Sequence, residues 1–362
     1  MSGFIPCARP FVGDEECAAV DRVLRSGSLA QGPEVAQFER EFAAHFALGR
    51  PCVAVSSGTS GLHVGLLASG VRAGDEVIVP SFTFAGTANA VALAGARPVF
   101  ADISPRNFCL DASAVEQAVT ERTVGIMPVH LYGHPADLPS LQAVADRHGL
   151  QVFEDAAQAH GASLHGVPVG ASGTFGVFSL YPTKNMTSGE GGMVAVGDPE
   201  VERLLRIYRN QGMERRYENE VVGLNARMSD IHAAIGRVQL TRVAAWTRRR
   251  QDNAALLDAE LSGVTVPSVA QGAVHVYHQY TVRVPEGRDG FAAALEREHG
   301  IGTGIYYPVP VHRLAPFRAD IDLPETERAA RECLSLPVHP SLTAAELERI
   351  VNAVNALAAA GS

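Results

Sequence analysis

Short apolar runs alternate with amphipathic stretches along the first two-thirds of the chain. Cys52-Val53-Ala54-Val55, Val77-Ile78-Val79, Pro98 to Ala101, Val124 to Val129, Gln151 to Asp155, Thr174 to Leu180 and Met193 to Val196 read as buried strands. Between them the apolar period is helical. Asp14 to Ser26 opens on Asp14-Glu15-Glu16, which suits the positive end of a helix dipole, and Gly27 ends it. Pro33 to Phe46 places Val35, Phe38, Phe42 and Phe46 on one stripe. Further helices are expected to about Ser69, to Ala94, over Leu110 to Thr120, over Leu138 to His148 with Gly149 at its C′ position, and from Pro199. Ser229-Asp230 caps a long helix to about Arg250, where Arg248-Arg249-Arg250 reads as a solvated face. Pro6 and Pro10 make residues 1–13 an extended arm, and residues 213–229 are polar and irregular.

Strands regularly followed by helices predict an α/β protein with a predominantly parallel sheet and crossover helices. From about Gly263 the texture changes. Tyr277 to Val284, Thr303 to Tyr306 and Glu332 to Pro337 read as strands, Gly290 to His299 and Thr343 to Ala360 as helices. We therefore expect a large domain over 1–250 and a smaller α+β domain over 251–362.

Composition narrows the class. At 362 residues, 46% hydrophobic and 19% charged, the chain suits a well-buried enzyme of about two domains. A net charge of −9 argues against general nucleic-acid binding. The five cysteines are scattered without a CxxC pair, so reduced, buried thiols are expected. His130 and His134 lie close in sequence but have no third ligand at metal spacing, so no metal is assigned. The opening MSGFIPCARP lacks a basic and an apolar targeting region, and no apolar run approaches ~18 residues. A cytoplasmic protein with no membrane or nucleic-acid partner is expected.

Candidate chemistry lies at the strand ends, where parallel sheets bind ligands. Ser56-Ser57-Gly58-Thr59-Ser60-Gly61 joins a strand to a helix start, where free N–H groups and the dipole favour an anion; an ordinary N-cap reads the same way. Phe82 and Phe84 sit in another strand-to-helix loop, and by residue type alone Phe84 is core. Glu154-Asp155 ends a strand, which fits a catalytic carboxylate or a cap. Lys184 sits between a strand and the Gly189-Glu190-Gly191-Gly192 turn. Held there and desolvated, its amine would be neutral enough for carbonyl chemistry; a solvated loop lysine before a Gly-rich turn reads the same way.

The stretches EDAAQAHGA from Glu154 and FSLYPTKNMTSGEGG from Phe178, with YYPVPVH from Tyr306, resemble the sugar aminotransferases of the DegT/DnrJ/EryC1/StrS family over nearly the whole chain. The resemblance implies the aspartate-aminotransferase-like fold of pyridoxal 5′-phosphate (PLP) enzymes, fold type I. It implies that Lys184 forms the Schiff base and shuttles the proton, and that Asp155 holds the pyridine nitrogen. Gly58, Thr59 and Ser179 would hold the phosphate, and Phe84 would stack on the ring. Gln158 would face the phenolic oxygen, with Ala157 nearby. Asn225 would reach the phosphate of a neighbouring subunit, making a homodimer with shared sites. His160, Tyr181, Arg227, Tyr306 and His312 are substrate candidates. The implied reaction moves an amino group from glutamate or glutamine to a nucleotide-linked keto-sugar, for deoxyamino-sugar biosynthesis, through the pyridoxamine form of the cofactor. Competing expectations are an amino-cyclitol acceptor, a PLP-dependent sugar dehydratase, which carries histidine where Lys184 stands, and a non-catalytic regulatory protein on the same fold.

Overall fold

Seven of the apolar runs pair into one sheet. A computed structural model describes residues 3–46 and 49–360. The strands are β1 (Cys52–Val55), β2 (Glu76–Pro80), β3 (Arg97–Ala101), β4 (Thr123–Ile126), β5 (Gln151–Asp155), β6 (Phe175–Ser179) and β7 (Gly192–Val196). Their spatial order is β1-β7-β6-β5-β4-β2-β3. β7 runs antiparallel to both neighbours, and the other pairings are parallel. The mostly parallel sheet expected from the sequence is therefore present, and the middles of its strands are mainly apolar because helices cover both faces.

The covering helices are α1 (Asp14–Ser26), α2 (Pro33–His45), α3 (Gly58–Ala68), α4 (Gly86–Leu93), α5 (Ala112–Ala118), α6 (Leu138–His148), α7 (Pro199–Arg209) and α8 (Asp230–Glu260). Helix α3 lies unusually close to the sheet: a Cβ at Gly65 would sit 2.7 Å from a ring carbon of Phe175. Helix α5 is shorter than its apolar pattern suggested. Asp111 caps it, its Oδ1 accepting from the Ser113 and Ala114 amides at 2.9 and 3.1 Å, and so sets the start.

Helix α8 runs unbroken past residue 250, where the sequence reading divided the chain. Its first half packs on α1 and α2. Its second half buries Ala254 and Leu257 in a cluster with Ile5, Tyr280, Leu334, Leu336, Ile350 and Val354. Arg250 lies between and is buried, donating to the Tyr277 carbonyl at 3.1 Å. The solvated-face expectation is thus corrected for Arg250, because the helix there turns inward onto the C-terminal layer. That layer comprises the antiparallel pair β8 (Tyr280–Arg283) and β9 (Cys333–Leu336) with helices α9 (Arg288–His299), α10 (Pro324–Glu332) and α11 (Ala344–Ala360). Thr303 to Tyr306 contributes only a bridge from Gly304 to Ser335. Val311 and Leu323 return to the core under the large sheet, and Ala329 and Ala330 join the cluster around α5 and α6. Part of the C-terminal third therefore forms the wall of the large layer. Residues 213–219 form a hairpin rather than irregular chain. Cys17 is exposed, against the expectation of buried thiols; Cys52, Cys109 and Cys333 are buried. Among the described residues no helix is long and apolar enough to cross a membrane.

β1 is an edge strand, and its outer polar groups are met by side chains. Glu39 Oε1 accepts from the Ala54 amide at 2.8 Å, and Arg209 donates to Glu39 Oε1 at 2.7 Å and to the Ala54 carbonyl at 2.5 Å. Arg206 donates to the other Glu39 oxygen at 2.9 Å. Glu39 and Arg209 are both buried, so removing Glu39 leaves the buried Arg209 without its carboxylate. Glu39→Ala is expected to cost about 3–5 kcal/mol of unfolding free energy, read by urea denaturation, and to loosen the start of α3. A cost below about 1 kcal/mol would show that this pair does not anchor the edge.

Candidate active site

The C-terminal ends of β1, β2, β4, β5 and β6 open onto one cavity of about 470 Å³, closed from above by residues of the C-terminal third. This is the size of a small-molecule site. Asp155 and Lys184 both line it.

Asp155 is the last residue of β5. Alternation along a strand sends it and Glu154 to opposite faces. Glu154 is buried away from the cavity, accepting from the Gly170, Ser172 and Gly173 amides at 2.6, 2.9 and 2.7 Å. His130 lies 3.1 Å from it. The His130 Nδ1 accepts from the Ala136 amide at 2.9 Å, so its Nε2 carries the proton and donates to Glu154. Asp155 keeps both oxygens engaged: Thr87 Oγ1 donates to Oδ2 at 2.8 Å and the Ala157 amide to Oδ1 at 3.1 Å. Burial holds its pKa above the usual carboxylate value, although the Thr87 hydroxyl, the Ala157 amide and the Lys184 ammonium pull it down. Its main chain is fixed from both sides, its amide donating to the Pro128 carbonyl at 2.9 Å and its carbonyl accepting from the His130 amide at 3.0 Å.

Lys184 follows β6 in a turn closed by its amide donating to the Tyr181 carbonyl at 3.0 Å. It is partly buried. Burial lowers its ammonium pKa to about 8, against the pull of Asp155. At pH 7 about a tenth of such amines is neutral, against about one in three thousand for an ordinary lysine.

The strand β1 to helix α3 junction supplies an anion cradle. Ser57 caps α3, its Oγ accepting from the Ser60 amide at 3.1 Å. The first amides of the helix have no intrahelical partner and lie with Gly58, Thr59 and Ser179 on the cavity wall. Ser179 packs on Gly58 so closely that a Cβ there would sit 3.1 Å from its own Cβ. Gly86 lets the next turn approach: a Cβ at Gly86 would lie 2.8 Å from both the Thr59 hydroxyl and the Phe84 ring.

Phe84 is 58% exposed and lines the cavity, whereas Phe82 is fully buried. The reading of Phe84 as core is therefore wrong; residue type alone could not tell which ring of the loop turns outward. Gln158 is buried, not an exposed helix start. Its Oε1 accepts from the Tyr132 amide at 2.7 Å and its Nε2 donates to the Tyr307 hydroxyl at 3.3 Å. Ala157, Tyr181 and Tyr306 also line the cavity, and Tyr181 is 48% exposed.

The remaining candidates lie elsewhere. His160 is buried among Phe42, Phe46 and Phe178, and burial drives its pKa to about 3. It belongs to the core, not the cavity wall. His312 is buried and does not line the cavity, its Nδ1 2.6 Å from Ser81 Oγ and its Nε2 3.3 Å from Glu327. Arg227 donates to Asn210 Oδ1 at 2.7 Å, and Asn225 is exposed; neither lines the cavity of its own chain. Sequence reasoning missed Thr87, Glu190, His278, Gln279 and Tyr307, which do line it. His278 and Gln279 arrive from distant sequence and carry no local signal; Tyr307 stands beside Tyr306 in the YYPVPVH stretch, and Thr87, in the first turn after β2, could have been flagged by its place beyond a strand end.

A buried carboxylate, an amine of lowered pKa and a helix-start anion cradle on one cavity fit a pyridine ring bearing an aldehyde and a phosphate. Fold and site thus define a PLP-dependent aminotransferase with the aspartate-aminotransferase-like architecture. Comparison with known proteins narrows this. Residues 10–355 match the DegT/DnrJ/EryC1/StrS aminotransferase family, and the chain belongs to it. It is 42% identical to the dTDP-3-amino-3,4,6-trideoxy-alpha-D-glucose transaminase of Streptomyces venezuelae, over 94% of this chain and 91% of that protein. It is also 42% identical to the pleiotropic regulatory protein of Geobacillus stearothermophilus, over 92% of each. The crystal structure of S. venezuelae DesV in complex with a ketimine intermediate superposes with a TM-score of 0.91 at 42% identity, covering 95% of this chain and 94% of that one.

The depressed lysine pKa gives a measurable consequence. Covalent capture of added PLP by cofactor-free protein should rise with pH to half its maximum near pH 8 and then level off. Lys184→Ala should abolish the saturable phase. A rate still climbing past about pH 10 would mean an ordinary solvated lysine.

Proposed function

We propose that the protein transfers an amino group from an amino acid, glutamate or glutamine, to the ketone of a nucleotide-linked sugar, as a step in making a deoxyamino sugar. The observation that carries this reading is the placement of Asp155 and Lys184 on one cavity beside the Gly58, Thr59 and Ser179 cradle. The transaminase name of the S. venezuelae relative supports the substrate class.

Each residue does a separate job. Lys184 Nζ, neutral in a useful fraction, takes the proton from the substrate carbon and returns one on the other side of the reaction. Asp155 would accept a hydrogen bond from the protonated ring nitrogen, a charge-assisted contact. PLP, when bound, supplies the ring that withdraws the electron pair left by that proton. Amides at the start of α3 and the Ser179 hydroxyl would hold the phosphate, and the Phe84 ring would offer a flat apolar face to the cofactor. The aromatic wall of Tyr181, Tyr306 and Tyr307 offers flat surface and hydroxyls for a sugar.

Two copies share the work in this reading. Asn225 is exposed and points to no partner in its own cavity, which suits a reach across to a second subunit. The exposed side chains of Phe84 and Tyr181 at the mouth are consistent with cover from that copy. We place the enzyme in the cytoplasm, where nucleotide-linked sugars are made. An amino-cyclitol ketone is an alternative acceptor. A regulatory role is suggested by the name of the G. stearothermophilus relative, but a binding protein has no need of an amine of lowered pKa facing a buried carboxylate. Sugar dehydration is disfavoured by Lys184 itself.

Incubation with PLP and glutamate or glutamine, followed by a nucleotide-linked keto-sugar, should give the aminated sugar by mass spectrometry. Bound PLP that exchanges no amino group with any donor would favour the regulatory reading. Shared sites are tested by complementation. Lys184→Ala and Asn225→Ala chains, each expected to be inactive alone, should recover about a quarter of wild-type activity when co-expressed, because random pairing rebuilds one site in four. No recovery, or full activity of Asn225→Ala alone, contradicts shared sites.

A further inference from the structure

The turn between β2 and α4 carries more than the Phe84 ring. Thr87, buried in the first turn of α4, donates through Oγ1 to Asp155 Oδ2 at 2.8 Å. Its own oxygen can then only accept, and Thr83 Oγ1 lies 3.1 Å from it. The direction of the whole chain is thereby fixed: Thr83 donates to Thr87, and Thr87 to Asp155. Thr83 and Thr87 are both buried and both border the cavity. The turn is held against the anion cradle, since Gly86 brings it within contact of Thr59. Its helical start is closed by the Thr87 amide donating to the Phe84 carbonyl at 3.1 Å.

We propose that Thr87 is a positioning residue for the reaction: the Thr83–Thr87–Asp155 hydroxyl chain fixes the orientation and charge of the Asp155 carboxylate toward the ring nitrogen. Asp155 is buried, and burial favours its neutral form, which could not hold a proton on the ring. Two hydrogen bonds to its own oxygens offset part of this, one from the Ala157 main chain and one from Thr87. Thr87 is the side-chain donor of the two. Donors in series polarise one another, strengthening each bond by about 10–30%. The chain also leaves one direction on each carboxylate oxygen for the cofactor, so rotation of the carboxylate breaks either the Thr87 or the Ala157 bond. The titratable groups facing Asp155 are Lys184, His130 and Tyr307, and none of them is a hydrogen-bond partner of Thr87, which bonds Thr83 and Asp155. The consequence is that one turn sets the ring face through Phe84, touches the phosphate cradle through Gly86 and governs the ring nitrogen through Thr87.

This inference rests on the assignment of Asp155 to the ring nitrogen, and the test separates the two. The holoenzyme is loaded with PLP labelled with ¹⁵N in the ring, and the nitrogen chemical shift is followed with pH beside kcat and KM. Wild type and Thr87→Ser, which keeps the donor, should show a protonated nitrogen. Thr87→Val, of the same shape without the donor, should lose ring protonation at lower pH than wild type. Its kcat should fall about tenfold while KM for both substrates stays within about threefold, the pattern of an interaction needed in the transition state rather than for binding. Thr83→Val should shift the nitrogen in the same direction by less. Thr87→Val with a wild-type nitrogen shift and kcat within about twofold overturns the proposal, and so does an unchanged Thr83→Val if Thr87→Val fails to fold. Asp155→Asn is the control: a ring nitrogen still protonated in that variant refutes the Asp155 assignment itself, whatever Thr87 does.

Discussion

The whole site depends on two ionisable groups held out of water on one cavity. Burial alone would neutralise both, raising the Asp155 pKa and lowering that of Lys184. Each opposes the other's neutralisation, and the balance differs between them. Asp155 adds two hydrogen bonds from Thr87 and Ala157 and so has support for its charge. Lys184 has none of comparable strength, so its pKa falls to about 8. The result is a carboxylate that can stay charged and an amine that can readily lose its charge. That asymmetry is what separates a group that anchors a protonated ring from a group that moves a proton. It also has a stability cost. Between about pH 8 and 10.5 the unfolded chain holds the lysine proton more tightly than the folded one, so folding gains from rising pH there, and below pH 8 the full penalty remains.

The rest of the fold makes this arrangement rigid. Parallel strands bring Ser57, Thr87, Asp155 and Ser179 to one edge because each lies at or just beyond a C-terminal strand end. The Glu39–Arg209 pair closes the open side of β1, which carries the anion cradle. On the opposite face of β5, Glu154 and His130 anchor the 170–173 loop and the strand end that aims Asp155. The C-terminal third completes the wall from a distance, through His278 and Gln279 next to β8 and through Tyr306 and Tyr307.

Much of this was legible in the sequence, for definite reasons. Helix Leu138–His148 and strand Gln151–Asp155 carry strong periodic or β-branched patterns with Gly149 between, and they fall where the pattern puts them. Asp155 and Lys184 could be named because each sits at a strand end, and the family resemblance supplied their roles. Other features were hidden by physics that a linear reading does not see. Helix α10 has only Thr326, Ala329 and Ala330 buried, so its charged sequence shows no apolar stripe. The length of α8 was underread because its inward face changes partners near Arg250. His160 looked like a site residue beside Asp155, but the chain turns it into the phenylalanine core. His278 and Gln279 meet the cavity only through tertiary folding, and no local spacing announces them.

The most direct test is a crystal structure of the protein grown with PLP. The account predicts one pyridine ring with its aldehyde carbon bonded to Lys184 Nζ and its ring nitrogen about 2.7–2.9 Å from an Asp155 oxygen, its phosphate against Gly58, Thr59 and Ser179. A ring bound without contact to either Lys184 or Asp155, or seated outside this cavity, would contradict it.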